Sequence, residues 1–202
     1  MTIIYLVRHG NTAWTGKRLI GSTPGVHLDE NGNVQAERIA DLLAGTPIKA
    51  IFSSPFERAI ETASPLAARL NINIIPLDCL KEIDFGDLRG LGSELSTNPV
   101  WIKFLTSPAS VEFPNGESVQ AAQKRIVDGL NDLFSQFSSS DPVVCFSHCE
   151  ILRLAVAFAL KIPLDEYMHL TIDPASISML EWTTNHQVVK FLNFSSDISS
   201  IF

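Results

Sequence analysis

The sequence predicts an α/β fold, a three-layer sandwich in which helices cover both faces of a mostly parallel central sheet. Strand-like and helix-like segments alternate along the 202 residues, which is the pattern of parallel strands joined by crossover helices. The last two strand-like segments are separated by a short polar stretch, which predicts a closing antiparallel hairpin. Three other strands lead at their carboxyl ends into arginine or histidine, and ligands of such sheets bind at that edge.

Composition and length limit the class of protein. Hydrophobic residues make up 46% of the chain and charged residues 18%, so a packed core is expected rather than disorder. With no internal repeat or long linker, residues 1–202 are predicted to form a single domain. The net charge of -7 and the pI of about 5.2 argue against nucleic acid or an anionic membrane surface as a partner.

The cysteine count and the hydrophobic segments indicate a cytoplasmic protein. Three cysteines provide no disulfide framework, so we expect a reducing compartment. The N-terminal apolar run ends at Arg8 and does not have the organisation of a signal peptide. The longest later apolar run, 154–160, is too short to cross a bilayer.

The first strand is predicted over residues 3–7, a run rich in β-branched and aromatic side chains. It leads into Arg8 and His9, and Gly10 allows the chain to turn. If the strand stops there, both side chains face one crevice, where an anion would satisfy them. A helix follows within 29–45, its final glycine is the expected stop, and its apolar face is formed by Ile39, Leu42 and Leu43.

The second strand, within residues 48–54, leads directly into a second helix. Ser54 is the candidate N-cap and Pro55 the first helical residue, which would place Arg58 in the first turn. Pro65 is expected to kink this helix. Its apolar stripe is formed by Ala59, Ile60, Ala63, Leu66, Ala67 and Leu70.

The remaining elements continue the alternation. Apolar residues at three- and four-residue steps predict a long amphipathic helix, and a shorter, mostly apolar helix follows His148. In chain order we expect a strand at 72–77, an irregular segment at 79–116 with a short helix around 101–105, a helix at 116–137, a strand at 141–147, a helix at 149–160, and strands at 177–182 and 188–194.

The residues at the strand ends suit a phosphoryl group. Arg8 and Arg58 can bind phosphate oxygens through paired, charge-assisted hydrogen bonds. A neutral imidazole such as that of His9 is a competent nucleophile near pH 7 and can form a covalent phospho-intermediate. The leaving alkoxide then needs a proton, which Glu82 or Asp84 in "LKEIDFGDLRG" is placed to donate.

Five sequence blocks, in order and over nearly the whole chain, resemble the motifs of the histidine phosphatase superfamily, whose fold is phosphoglycerate mutase-like. They are "LVRHGNT", "SSPFERAIETA", "LKEIDFGDLRG", "EFPNGES" and "CFSHCEILR". The resemblance implies that His9 is phosphorylated, that Arg8 and Arg58 clamp the phosphate and that His148 donates a hydrogen bond to it. It also implies that Glu82 is the proton donor. The family works without a metal, and we expect neither a metal nor another cofactor here.

The sequence departs from the family pattern at several positions. Asn11 replaces a glutamate, and Thr15 replaces an asparagine that contacts phosphate, although its hydroxyl can still donate. The usual Arg-x-Gln-Gly becomes Arg-Leu-Ile-Gly and ends at Gly21, and Gly-Gly after the second histidine becomes Cys149-Glu150. We expect Thr15, Gly21 and Cys149 to join the phosphate-binding residues. Cys149 is either a reactive thiol or a small packed side chain.

The expected activity is metal-independent hydrolysis of a small phosphorylated metabolite through a phosphohistidine. Phosphoserine, α-ribazole phosphate and a broad range of substrates all fit the resemblance. The alternatives are a cofactor-dependent phosphoglycerate mutase, disfavoured because the family's mutases carry an extra segment, and a non-catalytic protein that binds a phosphorylated ligand. Residues 83–116 are predicted to form a lid or insert that selects the substrate. The residues leave the oligomeric state open, with a dimer through an edge strand as one alternative.

Overall fold

The computed structural model describes residues 2–137 and 141–195 and contains a six-stranded sheet in the order β3-β2-β4-β1-β5-β6. The four strands from β3 to β1 are parallel, β5 is antiparallel to β1, and β6 is antiparallel to β5. The mostly parallel sheet and its closing hairpin are therefore confirmed. The strands are β1 (Thr2–Arg8), β2 (Ala50–Ser53), β3 (Ile74–Pro76), β4 (Val143–Ser147), β5 (Ile177–Trp182) and β6 (Gln187–Phe194).

Helices cover both faces of the sheet, as predicted. They are α1 (Glu30–Leu43), α2 (Glu57–Leu70), α3 (Pro99–Thr106), α4 (Val119–Phe134) and α5 (Cys149–Leu160). Alternate residues of a strand point to opposite faces. Accordingly, Val7 and Ile51 pack with α1 and α2 in one apolar cluster, whereas Leu6 and Phe52 pack with α4 and α5 in another. This arrangement confirms the three-layer sandwich.

The start of α2 differs from the prediction. The helix begins at Glu57 with Phe56 as its N-cap residue, so neither Ser54 nor Pro55 has the predicted capping role. The Ser54 hydroxyl instead lies 2.7 Å from Nε2 of His148. The Ser54 side chain therefore makes a buried contact at the end of the neighbouring strand instead of the helix-capping contact that local rules predict.

Helix α1 differs from the prediction at its C-terminal end. At its N-terminus, Asp29 caps the helix by accepting a 2.7 Å hydrogen bond from the Gly32 N–H. The helix ends at Leu43, and Gly45 does not adopt the left-handed conformation of a typical glycine stop. Leu42 is 43% exposed, so the expectation that it shares the buried face is wrong.

Residues 83–116 form α3 and several short 3₁₀ turns around an aromatic cluster. Asn98 caps α3 by accepting from two backbone N–H groups. Phe85 lies at the centre of the cluster, with ring centroids 4.8 Å from Phe113, 5.8 Å from Phe104 and 6.0 Å from Trp101. The segment is thus tied to the main core, and its role as a lid stays a prediction.

The parallel register aligns the ends of three strands. Arg8 at the end of β1 is opposite Ser147 of β4, and Ser53 of β2 is opposite Phe146. His9 and His148 follow directly, so residues far apart in the sequence meet at one edge of the sheet. Within residues 2–137 and 141–195, no helix is both long and apolar enough to cross a membrane.

Candidate active site

A cavity of about 180 Å³ lies at the carboxyl edge of the sheet. Seven of the eight residues that the sequence analysis assigns to the site line it, namely Arg8, His9, Thr15, Gly21, Arg58, Glu82 and Cys149. The eighth, His148, is fully buried, and its ring centroid lies 5.1 Å from that of His9. The fold therefore brings the predicted set together.

The imidazole of His9 is held in one tautomer. Its Nδ1 lies 2.7 Å from the carbonyl oxygen of Gly10, and a carbonyl can only accept, so Nδ1 carries the proton and donates. Nε2 is left with its lone pair. Burial, followed by the positive charges of Arg58 and Arg8, holds the pKa of His9 well below its usual value. The ring is therefore neutral at pH 7.

Two guanidinium groups make the cavity cationic. Arg58 is fully buried and donates to the carbonyls of Thr23 (3.0 Å) and Gly21 (2.7 Å), and Arg8 donates to the carbonyl of Ile172 (2.6 Å). In the described part of the chain, neither arginine forms an ion pair within 4.0 Å, and the Nε atom of each is buried without a partner. Burial lowers the pKa of Arg58 to about 10, so it remains charged at neutral pH.

The loop after β1 shapes one wall of the cavity. Gly21 has φ +52°, and a Cβ atom there would lie 2.7 Å from the Phe85 ring, so both the backbone conformation and the space require glycine. The Thr15 hydroxyl accepts from the Thr12 N–H at 3.0 Å. Thr15 therefore closes a turn in this loop as well as lining the cavity.

His148 is neutral, and only one of its ring nitrogens has a partner. Nε2 lies 2.7 Å from the Ser54 hydroxyl, whereas Nδ1 is buried without a hydrogen-bond partner among the described residues. Burial, followed by the charge of Arg58, holds the pKa of His148 well below its usual value. Nδ1 is consequently the ring nitrogen whose hydrogen-bonding capacity is unused among the described residues.

Glu82 sits at the N-terminus of α5 and is only 8% exposed. Its carboxylate accepts from the N–H groups of Ile83 (3.0 Å), Glu150 (3.3 Å) and Ile151 (3.3 Å). These bonds favour the charged form, but burial and the nearby Glu150 carboxylate outweigh them and raise the pKa of Glu82 to about 7. A carboxyl group in this state can donate or accept a proton near neutral pH.

The structure distinguishes Glu82 from its neighbour Asp84. The residue pattern alone leaves the two as equal candidates for the proton donor. Asp84 accepts 2.9 Å hydrogen bonds from the Ser22 hydroxyl and the Gly86 N–H, and it lies 3.5 Å from Nε of Arg89. It lines a neighbouring groove and not the cavity. Of these two carboxylates, Glu82 is therefore the one that lines the cavity.

Cys149 lines the cavity with an unreactive thiol. Its Sγ lies 3.6 Å from the carbonyl of Ile172, and burial, followed by the Glu150 charge, raises the pKa of the thiol to about 12. Thiol reactivity requires the thiolate, which is scarce at neutral pH here. These properties favour the interpretation of Cys149 as a small packed side chain.

Sequence reasoning missed some residues at the site. Trp101 and Arg18 also line the cavity, and Ser54 holds His148 from outside it. Glu150 lines the wall as well, where Tyr167 and Arg153 each donate to its carboxylate at 2.8 Å. No local signal marks Trp101 or Ser54, because their positions depend on how distant segments pack.

Metal ligands form a separate question. Among residues 2–137 and 141–195, no group of three or more histidine, cysteine, aspartate or glutamate side chains is arranged to hold a metal ion. Metal independence stays a prediction that requires an assay.

Comparison with known proteins agrees with the fold and motifs. The chain is 27% identical over 208 residues to phosphoserine phosphatase 1 of Hydrogenobacter thermophilus (100% of this chain, 97% of the relative). It is 29% identical over 183 residues to a 2,3-bisphosphoglycerate-dependent phosphoglycerate mutase of Thermoplasma acidophilum, and the alignment covers 90% of this chain and 88% of the relative. The crystal structure of an Entamoeba histolytica phosphoserine phosphatase in complex with 3-phosphoglyceric acid matches this chain with a TM-score of 0.86 and 28% sequence identity. The match covers 97% of this chain and 98% of that one. Residues 4–195 match the family model of branch 1, so the chain belongs to the histidine phosphatase superfamily.

Proposed function

We propose that the protein is a phosphatase that hydrolyses a small-molecule phosphomonoester through a phosphohistidine on His9. The observation that carries this proposal is the state of His9, a neutral imidazole with its Nε2 lone pair unprotonated in a cationic cavity. A pure binding site for phosphate needs neither a nucleophile held in one tautomer nor a carboxyl group with a pKa of about 7. The phosphoserine phosphatase relative supports hydrolysis.

In the first step, Nε2 of His9 attacks phosphorus in line and the bond from phosphorus to the ester oxygen breaks. Glu82, protonated near pH 7, gives its proton to the departing alkoxide. Arg8 and Arg58 hold the equatorial oxygens, and Nδ1–H of His148 donates to one of them. This stabilisation is electrostatic, and it is strong because the groups are buried and oriented before the substrate arrives.

In the second step, water attacks the phosphorus of phosphohistidine and the bond from phosphorus to Nε2 breaks. Glu82, now ionised, accepts the proton from the water. Inorganic phosphate forms, and both His9 and Glu82 return to their starting states. The same carboxyl group thus acts first as acid and then as base, for which a pKa near the working pH is suited.

The cavity size supports a small substrate. Its volume of about 180 Å³ is enough for a phosphoryl group with a small leaving group but not for a macromolecule. Phe85 and Trp101, from the segment 83–116, form part of the wall, and we propose that this segment selects the leaving group. Phosphoserine and α-ribazole phosphate are candidates, and the phosphoserine phosphatase relatives favour phosphoserine.

A phosphoglycerate mutase is the second candidate, favoured by the Thermoplasma acidophilum relative. The alignment covers 90% of this chain and 88% of that mutase, so the two chains have similar lengths. The sequence argument that mutases carry an extra segment therefore does not exclude this activity. Formation of 2-phosphoglycerate from 3-phosphoglycerate would identify a mutase, whereas release of inorganic phosphate identifies a phosphatase.

Phosphate release from a substrate panel in EDTA tests the proposed function. The panel contains p-nitrophenyl phosphate, phosphoserine, α-ribazole phosphate and 3-phosphoglycerate. We expect turnover of at least one member, unchanged by the chelator because the proposed chemistry uses only side chains. If a folded protein hydrolyses no member but binds one, the non-catalytic alternative replaces the proposal.

The pKa of Glu82 predicts a pH dependence. The first step requires protonated Glu82, so kcat/KM for an alkyl phosphomonoester is expected to fall as the pH rises through about 7. In Glu150→Gln, a negative charge that opposes ionisation of Glu82 is removed, so the pKa of Glu82 falls and the decline begins at lower pH. Glu166→Gln, a substitution of an exposed acid outside the cavity, is the matched control. An unmoved profile in Glu150→Gln would contradict the prediction.

A further inference from the structure

We propose that Ser54 is a positioning residue that fixes the tautomer of His148, so that Nδ1 carries the proton offered to the phosphoryl group. This inference rests on the proposed function, in which His148 donates to a phosphoryl oxygen. A neutral imidazole has one donor and one acceptor nitrogen. Because a phosphoryl oxygen only accepts, the nitrogen that faces it must be the donor.

The contacts of His148 assign the two nitrogens. Nε2 is occupied by the Ser54 hydroxyl at 2.7 Å, which leaves Nδ1, buried and without a partner in the described chain, as the nitrogen for the ligand. Nδ1 must then carry the proton and Nε2 must accept. Burial and the positive charges of Arg58 and Arg8 disfavour a second proton on this ring.

The Ser54 hydroxyl is placed to be the donor in this pair. Its oxygen already accepts from the Phe56 N–H at 3.4 Å, which leaves its single proton for Nε2 of His148. A serine hydroxyl has one proton, so no second strong donor bond competes for it. The direction of the bond therefore agrees with the tautomer that phosphate binding requires.

The backbone of Ser54 is held in place by its neighbours. Its N–H donates to the Phe146 carbonyl at 2.8 Å, and its own carbonyl accepts from the Ser53 hydroxyl at 2.8 Å. Phe146 lies in β4, two residues before His148. The hydroxyl and the imidazole are thus carried by adjacent strands, and both residues are fully buried.

Removal of the Ser54 hydroxyl should allow His148 to change its tautomer. In Ser54→Ala, Nε2 would be buried without a partner, so the ring would change tautomer or turn, and Nδ1–H would be available for only part of the time. We expect kcat/KM to fall about ten- to hundredfold and binding of inorganic phosphate to weaken. Ser54→Thr keeps a hydroxyl and should retain more activity than Ser54→Ala.

The experiment combines kinetics with ¹⁵N NMR of labelled histidine. Ser178→Ala is the matched control, since Ser178 is also buried but its hydroxyl contacts the Asn193 N–H and not Ser54 or His148. We expect the wild type and Ser178→Ala to show His148 protonated at Nδ1, and Ser54→Ala to lose that signature. In a His148→Ala background, Ser54→Ala should have little further effect on kcat/KM.

Three outcomes would overturn the inference. They are a wild-type His148 protonated at Nε2, a Ser54→Ala protein that keeps the Nδ1–H signature, and equal kinetic losses in Ser54→Ala and Ser178→Ala. If Ser54→Ala does not fold, the wild-type spectrum and the Ser54→Thr variant still decide the question. If the wild type hydrolyses nothing but its tautomer depends on Ser54, the proposed function fails and the inference about Ser54 stands.

Discussion

Replacement of His9 by alanine is expected to reduce kcat by at least about 10⁴-fold and to abolish the phosphoenzyme. The reason is that Nε2 of His9 is the atom that forms the covalent bond to phosphorus in the proposed mechanism. Its lone pair is exposed to the cavity because Nδ1 donates to Gly10. No other neutral nucleophile with a fixed lone pair lines the described part of the cavity, since the Cys149 thiol is held protonated.

The measurement has two parts, phosphate release at saturating substrate and rapid-quench trapping of a phosphorylated protein that is labile in acid. The control is His27→Ala, because His27 is exposed, pairs with Glu61 and does not line the cavity. It should retain activity and the phosphoenzyme. Hydrolysis that persists in His9→Ala at a rate near that of the wild type would refute the phosphohistidine route.

Replacement of Glu82 by glutamine is expected to produce the second-largest effect, a loss of about 10²–10⁴-fold in the first step with an alkyl phosphomonoester. The amide has nearly the same shape and can still accept from backbone N–H groups, but it has no proton to donate at neutral pH. With p-nitrophenyl phosphate the first step should lose much less, since nitrophenolate leaves without a proton. The dependence on the leaving group therefore separates acid catalysis from a general loss of structure.

The second step gives this variant a distinctive kinetic signature. Because Glu82 also activates water, Glu82→Gln should hydrolyse phosphohistidine slowly. With p-nitrophenyl phosphate we therefore expect a burst of about one equivalent of nitrophenol, followed by slow turnover and accumulation of the phosphoenzyme.

The matched control is Asp84→Asn, the same chemical change two residues away on a side chain that does not line the cavity. It should keep activity with both substrates. Equal losses in the rate of the first step for the two leaving groups in Glu82→Gln, or an Asp84→Asn variant that behaves like it, would show that Glu82 is not the acid.

The order and type of the secondary-structure elements were predictable, because they follow from hydrophobic periodicity and local turn signals. Helix α5 has the predicted bounds, Cys149–Leu160, since an apolar run after a polar strand end leaves few alternatives. The capping prediction at Ser54 fails because a tertiary contact competes with a local rule. Ser54 follows a valid capping pattern, yet it bonds His148, which lies 94 positions away in the sequence.

The sequence by itself determined the residue types of the site and the edge of the sheet where they collect, because anion-binding chemistry and strand direction are both local properties. The family resemblance already pointed to Glu82, and the tertiary structure alone supplied the burial and contacts that set the protonation states and separate Glu82 from Asp84. Those properties depend on burial and on contacts such as the one between Glu82 and the Ile151 N–H, 69 positions apart. A carboxyl pKa of about 7 and a histidine with one fixed lone pair arise only when folding removes water and brings the charges of distant residues together.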